Sequence, residues 1–204
     1  MINRASLLIT ALLCTTACIH AAEPAVQDGD IIFHTSRSAQ SLAVQKATSS
    51  TYSHMGLILL RDGKPYVFES ISTVQYTPLS SWIARGQDGR YVIKRLSDAG
   101  QRLTSASLTK LRNAAQEFEG RPYDLTFEWS DDRTYCSELV WKVYDRALGV
   151  QLAPTQKLRE FNLSDPIVKA KMHERYGDKP PLDATVISPV AIFNAPSLVT
   201  VSEH

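Results

Sequence analysis

The hydrophobic pattern of this chain changes near residue 104, and the change limits the folds that the chain can adopt. Before residue 104, apolar residues form short runs or alternate with polar ones, which is typical of β-strands. After it they recur every three or four residues, which is typical of amphipathic helices. Strands followed by helices, instead of alternating with them, predict an α+β fold built on an antiparallel sheet.

The strands are predicted from short apolar segments that end at turn residues. The clearest is 54–60, because the turn-forming sequence at 61–64 joins it to a returning strand over 65–70. Further strands are predicted over 31–33, 74–77 and 91–96, with helices over 38–47 and around Trp82.

Two amphipathic helices are predicted after residue 104. The first follows a cap at Thr104 or Ser105 and ends before Gly120. The second begins at Cys136 and ends at Gly149, with its apolar residues on one side. In the tail we predict one short helix over about 167–176, followed by a segment over 188–201.

Composition excludes some classes of function. The 204 residues carry 22 Lys and Arg against 21 Asp and Glu, so no strong net field would concentrate the protein on nucleic acid. A 44% hydrophobic content is enough for one good core. No segment after the first two dozen residues is apolar for long enough to predict a membrane span.

The first 22 residues have the features of a secretory signal peptide. Arg4 precedes an apolar stretch over 7–18, and the small residues Ala21 and Ala22 suit a signal peptidase. Lipidation at Cys18 is the alternative, but the leucine expected three positions earlier is missing. We therefore predict a signal peptide over 1–22, a single domain over 23–204, and a periplasmic or secreted location.

Cys136 is the one cysteine that such a mature chain would keep, because Cys14 and Cys18 belong to the export segment. At the first turn of a helix, unpaired N–H groups and the helix dipole favour a thiolate, which makes a good nucleophile. The alternative is a small buried hydrophobic residue, as most lone cysteines are.

A nucleophilic thiolate needs a base and a group that orients the base. His54 stands at the head of the clearest strand, and Glu69 lies on the strand that returns from it. Both could instead be strand-end surface residues, and His34 competes with His54 for the role of base. Metal binding by Cys136, His34 and His54 is disfavoured, because these residues lack the short ligand spacings of metal sites. No metal or other cofactor is predicted.

Four segments resemble motifs of the NlpC-type papain-like hydrolases. Residues 120–124 (GRPYD) and 135–144 (YCSELVWKVY) are similar to the cysteine motif, and 28–33 (DGDIIF) and 53–59 (SHMGLIL) to the strand and histidine motifs. The histidine segment comes first here, as in the circularly permuted branch that includes relatives of lecithin retinol acyltransferase. Within that branch the chain resembles the YiiX/YebB-like family over nearly all of the predicted mature sequence.

The resemblance implies a circularly permuted papain-like (NlpC-type) fold, with a sheet or half-barrel packed against helices. It implies that Cys136 is the nucleophile, His54 the base, Glu69 the third polar residue, and Tyr123 a group that binds the oxyanion or substrate. Two positions depart from the usual motif. Glu138 stands where glycine is usual, and Tyr135 where aspartate is frequent.

The implied function is an exported cysteine amidase or peptidase that acts on a peptide or acyl substrate, with peptidoglycan-type peptides favoured. A lipid acyl hydrolase or acyltransferase is the alternative within the enzyme class, and a long apolar groove would favour it. A non-catalytic module that binds cell wall or peptide is the alternative outside it. The oligomeric state is left open.

Overall fold

A computed structural model describes residues 25–204 of the chain. The predicted signal peptide over 1–22, together with Cys14 and Cys18, lies outside the described residues and stays a prediction.

The described part of the chain contains eight strands and seven α-helices. The strands are β1 (Ile31–His34), β2 (His54–Arg61), β3 (Lys64–Ser70), β4 (Val74–Pro78), β5 (Val92–Leu96), β6 (Gln156–Lys157), β7 (Thr185–Val186) and β8 (Leu198–Glu203). The helices are α1 (Ser41–Thr48), α2 (Leu79–Arg85), α3 (Ala99–Arg102), α4 (Ser105–Gln116), α5 (Cys136–Leu148), α6 (Pro166–Tyr176) and α7 (Pro189–Phe193). Short 3₁₀ turns occupy Gln87–Gly89 and Leu158–Glu160.

Six strands form one sheet in the order β4-β3-β2-β1-β5-β8, while β6 and β7 form a separate pair. Every neighbouring pair in the large sheet is antiparallel. The predicted α+β fold with an antiparallel sheet is therefore confirmed. In the register of β1 and β2, His34 stands opposite His54, at the end of the pair where the site is built.

Alternation along the strands sorts the side chains onto two faces of the sheet. The face toward α4 and α5 carries Ile31, Phe33, Met55, Leu57 and Phe68, which belong to the larger core. The opposite face carries Ile32, Ile58, Val67 and Ile93, which pack against Leu79 and Trp82 of α2. One face thus buries the long helices and the other buries α2.

Helix α5 is the central helix of the larger core. It begins at Cys136, as predicted, and nearly all of its residues are buried, including fully buried Val140 and Val143. It ends at Gly149, whose φ of +64° is in the left-handed region that glycine adopts without strain. Tyr144 ties the helix to the sheet, because its hydroxyl donates to the Gly29 carbonyl oxygen.

The tail contributes more to the sheet than its sequence indicates. Residues 198–203 form β8, an edge strand paired with β5 through contacts such as Leu96 with Leu198. The sequence predicts only a segment over 188–201, and the short elements α3, α7, β6 and β7 are missed as well. Strand β8 pairs with β5, and β6 pairs with β7, across long stretches of chain, so no local pattern indicates these strands. Helices α3 and α7 have only four and five residues, which is too short to show a helical period.

No helix within residues 25–204 has both the length and the apolar character that crossing a membrane requires.

Gly56 is expected to be the least replaceable glycine of the sheet. A Cβ there would lie 2.3 Å from Val67 Cγ1 and 3.0 Å from the Phe68 carbonyl oxygen. Gly56→Ala should therefore lower the free energy of unfolding by about 1–3 kcal/mol, as overpacking does. Gly100→Ala in α3 is the control, because a Cβ there meets no atom within 4 Å. Equal stability of the two variants in chemical denaturation would contradict the prediction that β2 has no room for a side chain at position 56.

Candidate active site

Cys136 is the first residue of α5 and is 5% exposed. The residue before it, Tyr135, has extended backbone angles, so the helix and its row of unpaired N–H groups start at the cysteine. This position favours the negative charge of a thiolate. The sequence-predicted nucleophile is thus a nearly buried thiol at a helix N-terminus.

His54 is the first residue of β2, and its side chain is 11% exposed. Its Nε2 lies 2.7 Å from Oε2 of Glu69, which is fully buried on β3. Burial lowers the pKa of His54, but hydrogen bonds to the Cys136 and Glu69 side chains and attraction to both outweigh it and raise the pKa to about 9. The imidazole therefore connects the thiol to the carboxylate and favours the imidazolium form.

Four side chains hold Glu69, namely His54 and three further donors. Thr77 Oγ1 donates to its Oε1 at 2.5 Å, Trp82 Nε1 donates to its Oε2 at 2.9 Å, and Arg85 Nη2 pairs with Oε1. Burial raises the pKa of Glu69, but the hydrogen bonds from His54 and Thr77 and the positive charges of His54 and Arg85 bring it below its usual value. The carboxylate is thus kept ionised and fixed in position beside the imidazole.

His34, the competing histidine, has a different environment. It is 3% exposed and stacks on Trp82 with 3.8 Å between ring centroids, while its ring lies 5.3 Å from that of His54. Burial, followed by the positive charges of His54 and Arg85, lowers the pKa of His34 to about 2. His34 is therefore a neutral packing residue in the wall of the site.

Tyr123 reaches the site from the loop before α5. A β-bridge pairs it with Thr134, two residues before Cys136. Its hydroxyl accepts a hydrogen bond of 2.8 Å from Gln40 Nε2, and Gln40 Oε1 accepts one of 2.5 Å from Arg175 Nη2. Burial and the nearby Cys136 raise the pKa of Tyr123. The phenol stays protonated, and its proton is free to be donated to another group.

The two departures from the usual motif have structural roles. The Glu138 carboxylate is fully buried, pairs with Lys142 Nζ at 2.8 Å, and accepts from Thr134 Oγ1 at 3.2 Å and the Tyr135 N–H at 3.4 Å. Burial raises the pKa of Glu138 to about 7 despite the lysine. The Tyr135 hydroxyl accepts from the Ile187 N–H at 3.0 Å. Both residues therefore anchor the start of α5.

Sequence reasoning missed five residues of the site. Thr77, Trp82 and Arg85 hold the carboxylate, while Gln40 and Arg175 extend the hydrogen-bond chain from Tyr123. Trp82 and Arg85 lie three residues apart on α2, so they share a helix face, and this spacing is a signal that could have indicated them. Gln40 and Arg175 are 135 residues apart, and no sequence pattern relates them.

Two cavities meet at the site. The first, called the apolar cavity, has a volume of about 100 Å³ and is lined by Cys136 and by residues such as Ala43, Val44, Leu158, Val168 and Met172. The second, called the polar cavity, is lined by His54 and by residues such as Ser36, Arg37, Ser38, Ser70 and Arg85. Gln40, Ser53 and Tyr123 line both cavities. Cys136 and His54 thus line two neighbouring cavities, the second of which carries more polar side chains.

The family model of the permuted papain-like amidases of the YaeF/YiiX type, family C92, matches residues 25–202. The uncharacterized protein YiiX of Escherichia coli K12 is 52% identical over 178 residues, which are 87% of each protein. A crystal structure described as the metalloprotein YiiX of Escherichia coli O157:H7 superposes with a TM-score of 0.84. It is 52% identical, and the match covers 90% of this chain and 99% of that one.

The interaction of His54 with its two neighbours predicts a pH dependence. An imidazolium with a pKa near 9 loses its proton as the pH rises through about 9, and the Cys136 sulfur beside it then loses a positively charged neighbour. The rate of Cys136 alkylation by iodoacetamide should therefore change near pH 9. The stabilisation from the raised pKa is complete below the ordinary histidine value of about 6.5 and is lost as the pH rises through about 9.

Glu69→Gln should shift this alkaline transition to lower pH, because it removes the carboxylate charge that helps to raise the pKa of His54. Amide hydrolysis should fall about 100-fold or more, since the His54 imidazole loses the charge that orients it. Glu119→Gln is the control, because Glu119 is exposed and takes no part in the interactions that shift the pKa of His54 or of Glu69. An unchanged alkaline transition in Glu69→Gln would rule out an effect of the Glu69 charge on the pKa of His54.

Proposed function

The chain belongs to the family of permuted papain-like amidases and is a papain-like cysteine hydrolase, and we propose that it cleaves an amide bond through Cys136, His54 and Glu69. Cys136 is the nucleophile in this proposal, His54 is the base and acid, and Glu69 orients the imidazole. The main support for this proposal is the 2.7 Å contact between His54 Nε2 and the fully buried Glu69 carboxylate, beside a thiol at the N-terminus of α5.

The reaction begins with attack of the Cys136 sulfur on the amide carbonyl carbon, which forms a C–S bond and moves an electron pair onto the oxygen. When this intermediate collapses, the C–N bond breaks and protonated His54 gives its proton to the amine. Water then loses a proton to His54 and attacks the thioester. A C–O bond forms, the C–S bond breaks, and the acid is released.

Tyr123 is proposed to stabilise the oxyanion. Its hydroxyl already accepts from Gln40, so the phenolic proton is available to the negative oxygen. The N–H groups at the start of α5 supply further donors beside the sulfur. Gln40 holds the phenol in place and is itself held by Arg175.

The proposal includes export to the periplasm or beyond the cell. Its support is the signal-like sequence over 1–22. An exported amidase of this type would meet the peptides of peptidoglycan, which remain one candidate substrate. Amides and esters of lipids are the other, and the apolar cavity beside Cys136 is the observation that favours an acyl substrate over a polar peptide.

A metal ion has no part in the proposed reaction. The relative from Escherichia coli O157:H7 is described as a metalloprotein. Within residues 25–204, however, no group of three or more His, Cys, Asp or Glu side chains is arranged to hold a metal. The described residues do not fit a metal site, so no step is assigned to one.

Two substitutions test the catalytic roles. Cys136→Ala should abolish hydrolysis of both peptidoglycan fragments and acyl p-nitroanilides, since no nucleophile remains. His54→Gln should lower the rate by about 10²- to 10⁴-fold, the usual contribution of a positioned acid and base. Hydrolysis is followed by mass spectrometry, and iodoacetamide alkylation of Cys136 is followed in parallel.

His173→Gln is the matched control, because His173 is exposed on α6, pairs with Asp178, and does not line the cavity of Cys136. It should leave both rates unchanged. Activity that survives Cys136→Ala, or alkylation no faster than that of a free thiol in the wild type, would show that the proposed function is wrong.

A further inference from the structure

Three residues line both cavities of the site, namely Gln40, Ser53 and Tyr123. Cys136 lines only the first of the two cavities and His54 only the second. A carbonyl group that the thiol attacks, and whose leaving group takes a proton from the imidazole, must lie within reach of both. A polar proton on a shared residue is therefore available to the substrate, if no other group of the protein accepts it.

Gln40 is used at both ends of its amide. Its Nε2 donates to the Tyr123 hydroxyl at 2.8 Å, and its Oε1 accepts from Arg175 Nη2 at 2.5 Å. The tyrosine hydroxyl thus accepts within the protein and keeps its own proton for another group. Among the shared residues, this leaves the hydroxyl of Ser53 to be accounted for.

The Ser53 hydroxyl has two polar neighbours in the protein. The Ser36 N–H donates to Ser53 Oγ at 2.9 Å, and Ser41 Oγ lies 2.6 Å from the same atom. Ser41 Oγ also accepts from Gln45 Nε2 at 3.0 Å. Each serine hydroxyl has one proton to donate and two lone pairs to accept with. The direction of the bond between the two serines therefore decides where the Ser53 proton points.

The burial of Ser41 favours one direction. Ser41 is 4% exposed and lines neither cavity of the site, whereas Ser53 lines both. If Ser53 donated to Ser41, the Ser41 proton would be buried without an acceptor among residues 25–204, which folded proteins avoid. If Ser41 donates instead, the one proton left over is that of Ser53, and it points toward the cavities.

The sheet places the Ser53 side chain on the same side as the thiol. The Ser53 N–H extends the pairing of β1 and β2, because it donates to the His34 carbonyl oxygen at 3.2 Å. Side chains alternate along such a strand, so Ser53 lies on the face of Met55, which belongs to the core around α5. His54 lies on the other face. The wall of the Cys136 cavity accordingly includes Ser53.

From these contacts we infer that Ser53 is a further catalytic residue, whose hydroxyl donates to the carbonyl oxygen together with that of Tyr123. This inference rests on the proposed function, because it needs a carbonyl that Cys136 attacks. As the C–S bond forms, an electron pair moves onto the oxygen, and hydrogen bonds to a charged acceptor are stronger. Both hydroxyls keep their protons throughout, and His54 alone transfers a proton.

Ser53→Ala tests the inference with butyryl p-nitroanilide as substrate. The value of kcat should fall about 100-fold with little change in KM, because the lost hydrogen bond forms fully only in the transition state. Iodoacetamide alkylation of Cys136 should stay close to the wild-type rate, since the thiol and the imidazole are intact. An unchanged kcat would overturn the inference, and so would alkylation that falls as much as hydrolysis.

Ser41→Ala separates a catalytic from a structural role, because it breaks the same buried hydrogen bond and keeps the Ser53 hydroxyl. Its kcat should fall far less than that of Ser53→Ala. Thr51→Ala is the control that should leave hydrolysis unchanged, since Thr51 is exposed and lines neither cavity of the site. Equal losses in Ser41→Ala and Ser53→Ala would show that Ser53 only supports the fold.

Two further substitutions at position 53 keep the test decisive. Ser53→Thr retains the hydroxyl and should retain most of kcat, whereas a folded Ser53→Thr as inactive as Ser53→Ala would contradict the inference. If Ser53→Ala cannot be purified, Ser53→Cys takes its place, because a thiol is close in size and a weaker donor. Its kcat should fall at least about tenfold, and a wild-type value would contradict the inference.

Butanal separates this inference from the proposed function, because it reacts with a thiol without turnover. The Cys136 sulfur adds to the aldehyde carbon, and the carbonyl oxygen takes up the thiol proton, giving a tetrahedral hemithioacetal. The Kd of butanal, measured by protection of Cys136 from iodoacetamide, should rise about threefold to tenfold in Ser53→Ala, the usual effect of one hydrogen bond.

The two proposals then fail in different ways. A weakened butanal complex in Ser53→Ala, with no hydrolysis of any amide by the wild type, would support the Ser53 donor and overturn the amidase proposal. Hydrolysis by the wild type, with the same butanal Kd in both proteins, would overturn the Ser53 donor and leave the amidase proposal intact.

Discussion

The burial of the Glu69 carboxylate is the constraint on which the rest of the site depends. A fully buried charge is costly unless it is paired and hydrogen-bonded. Thr77 on β4 and Trp82 and Arg85 on α2 supply donors, and His54 on β2 supplies another. Satisfying this one carboxylate therefore fixes three elements around β3 and holds the imidazole in a single orientation.

The sheet keeps this polar cluster separate from the main core. Alternation sends Phe68 to the larger core and Glu69 to the opposite face. The larger core positions α5, whose first residue is Cys136. The thiol and the carboxylate thus belong to different layers, and His54 at the start of β2 interacts with both. This division lets a rigid apolar core support a charged site.

Different helices line the two cavities of the site. Helices α1 and α6 contact each other and line the apolar cavity, whereas the segment before α1 and the end of α2 line the polar one. The Gln40–Arg175 hydrogen bond joins α6 to the start of α1, and the same Gln40 holds Tyr123. Gln40 therefore connects the wall of the apolar cavity to Tyr123, the proposed oxyanion donor.

The sequence by itself determined the fold class, most strand and helix positions, and the start of α5 at Cys136, because these follow from local hydrophobic period and turn residues. It also indicated the candidates His54 and Glu69, through their strand positions and motif resemblance, and Tyr123, through the resemblance alone. Only the tertiary structure decided that His34 stacks on Trp82 while His54 contacts Glu69. Only it joined β8 to the sheet and built the two cavities. These features depend on contacts between distant residues, which local patterns do not encode.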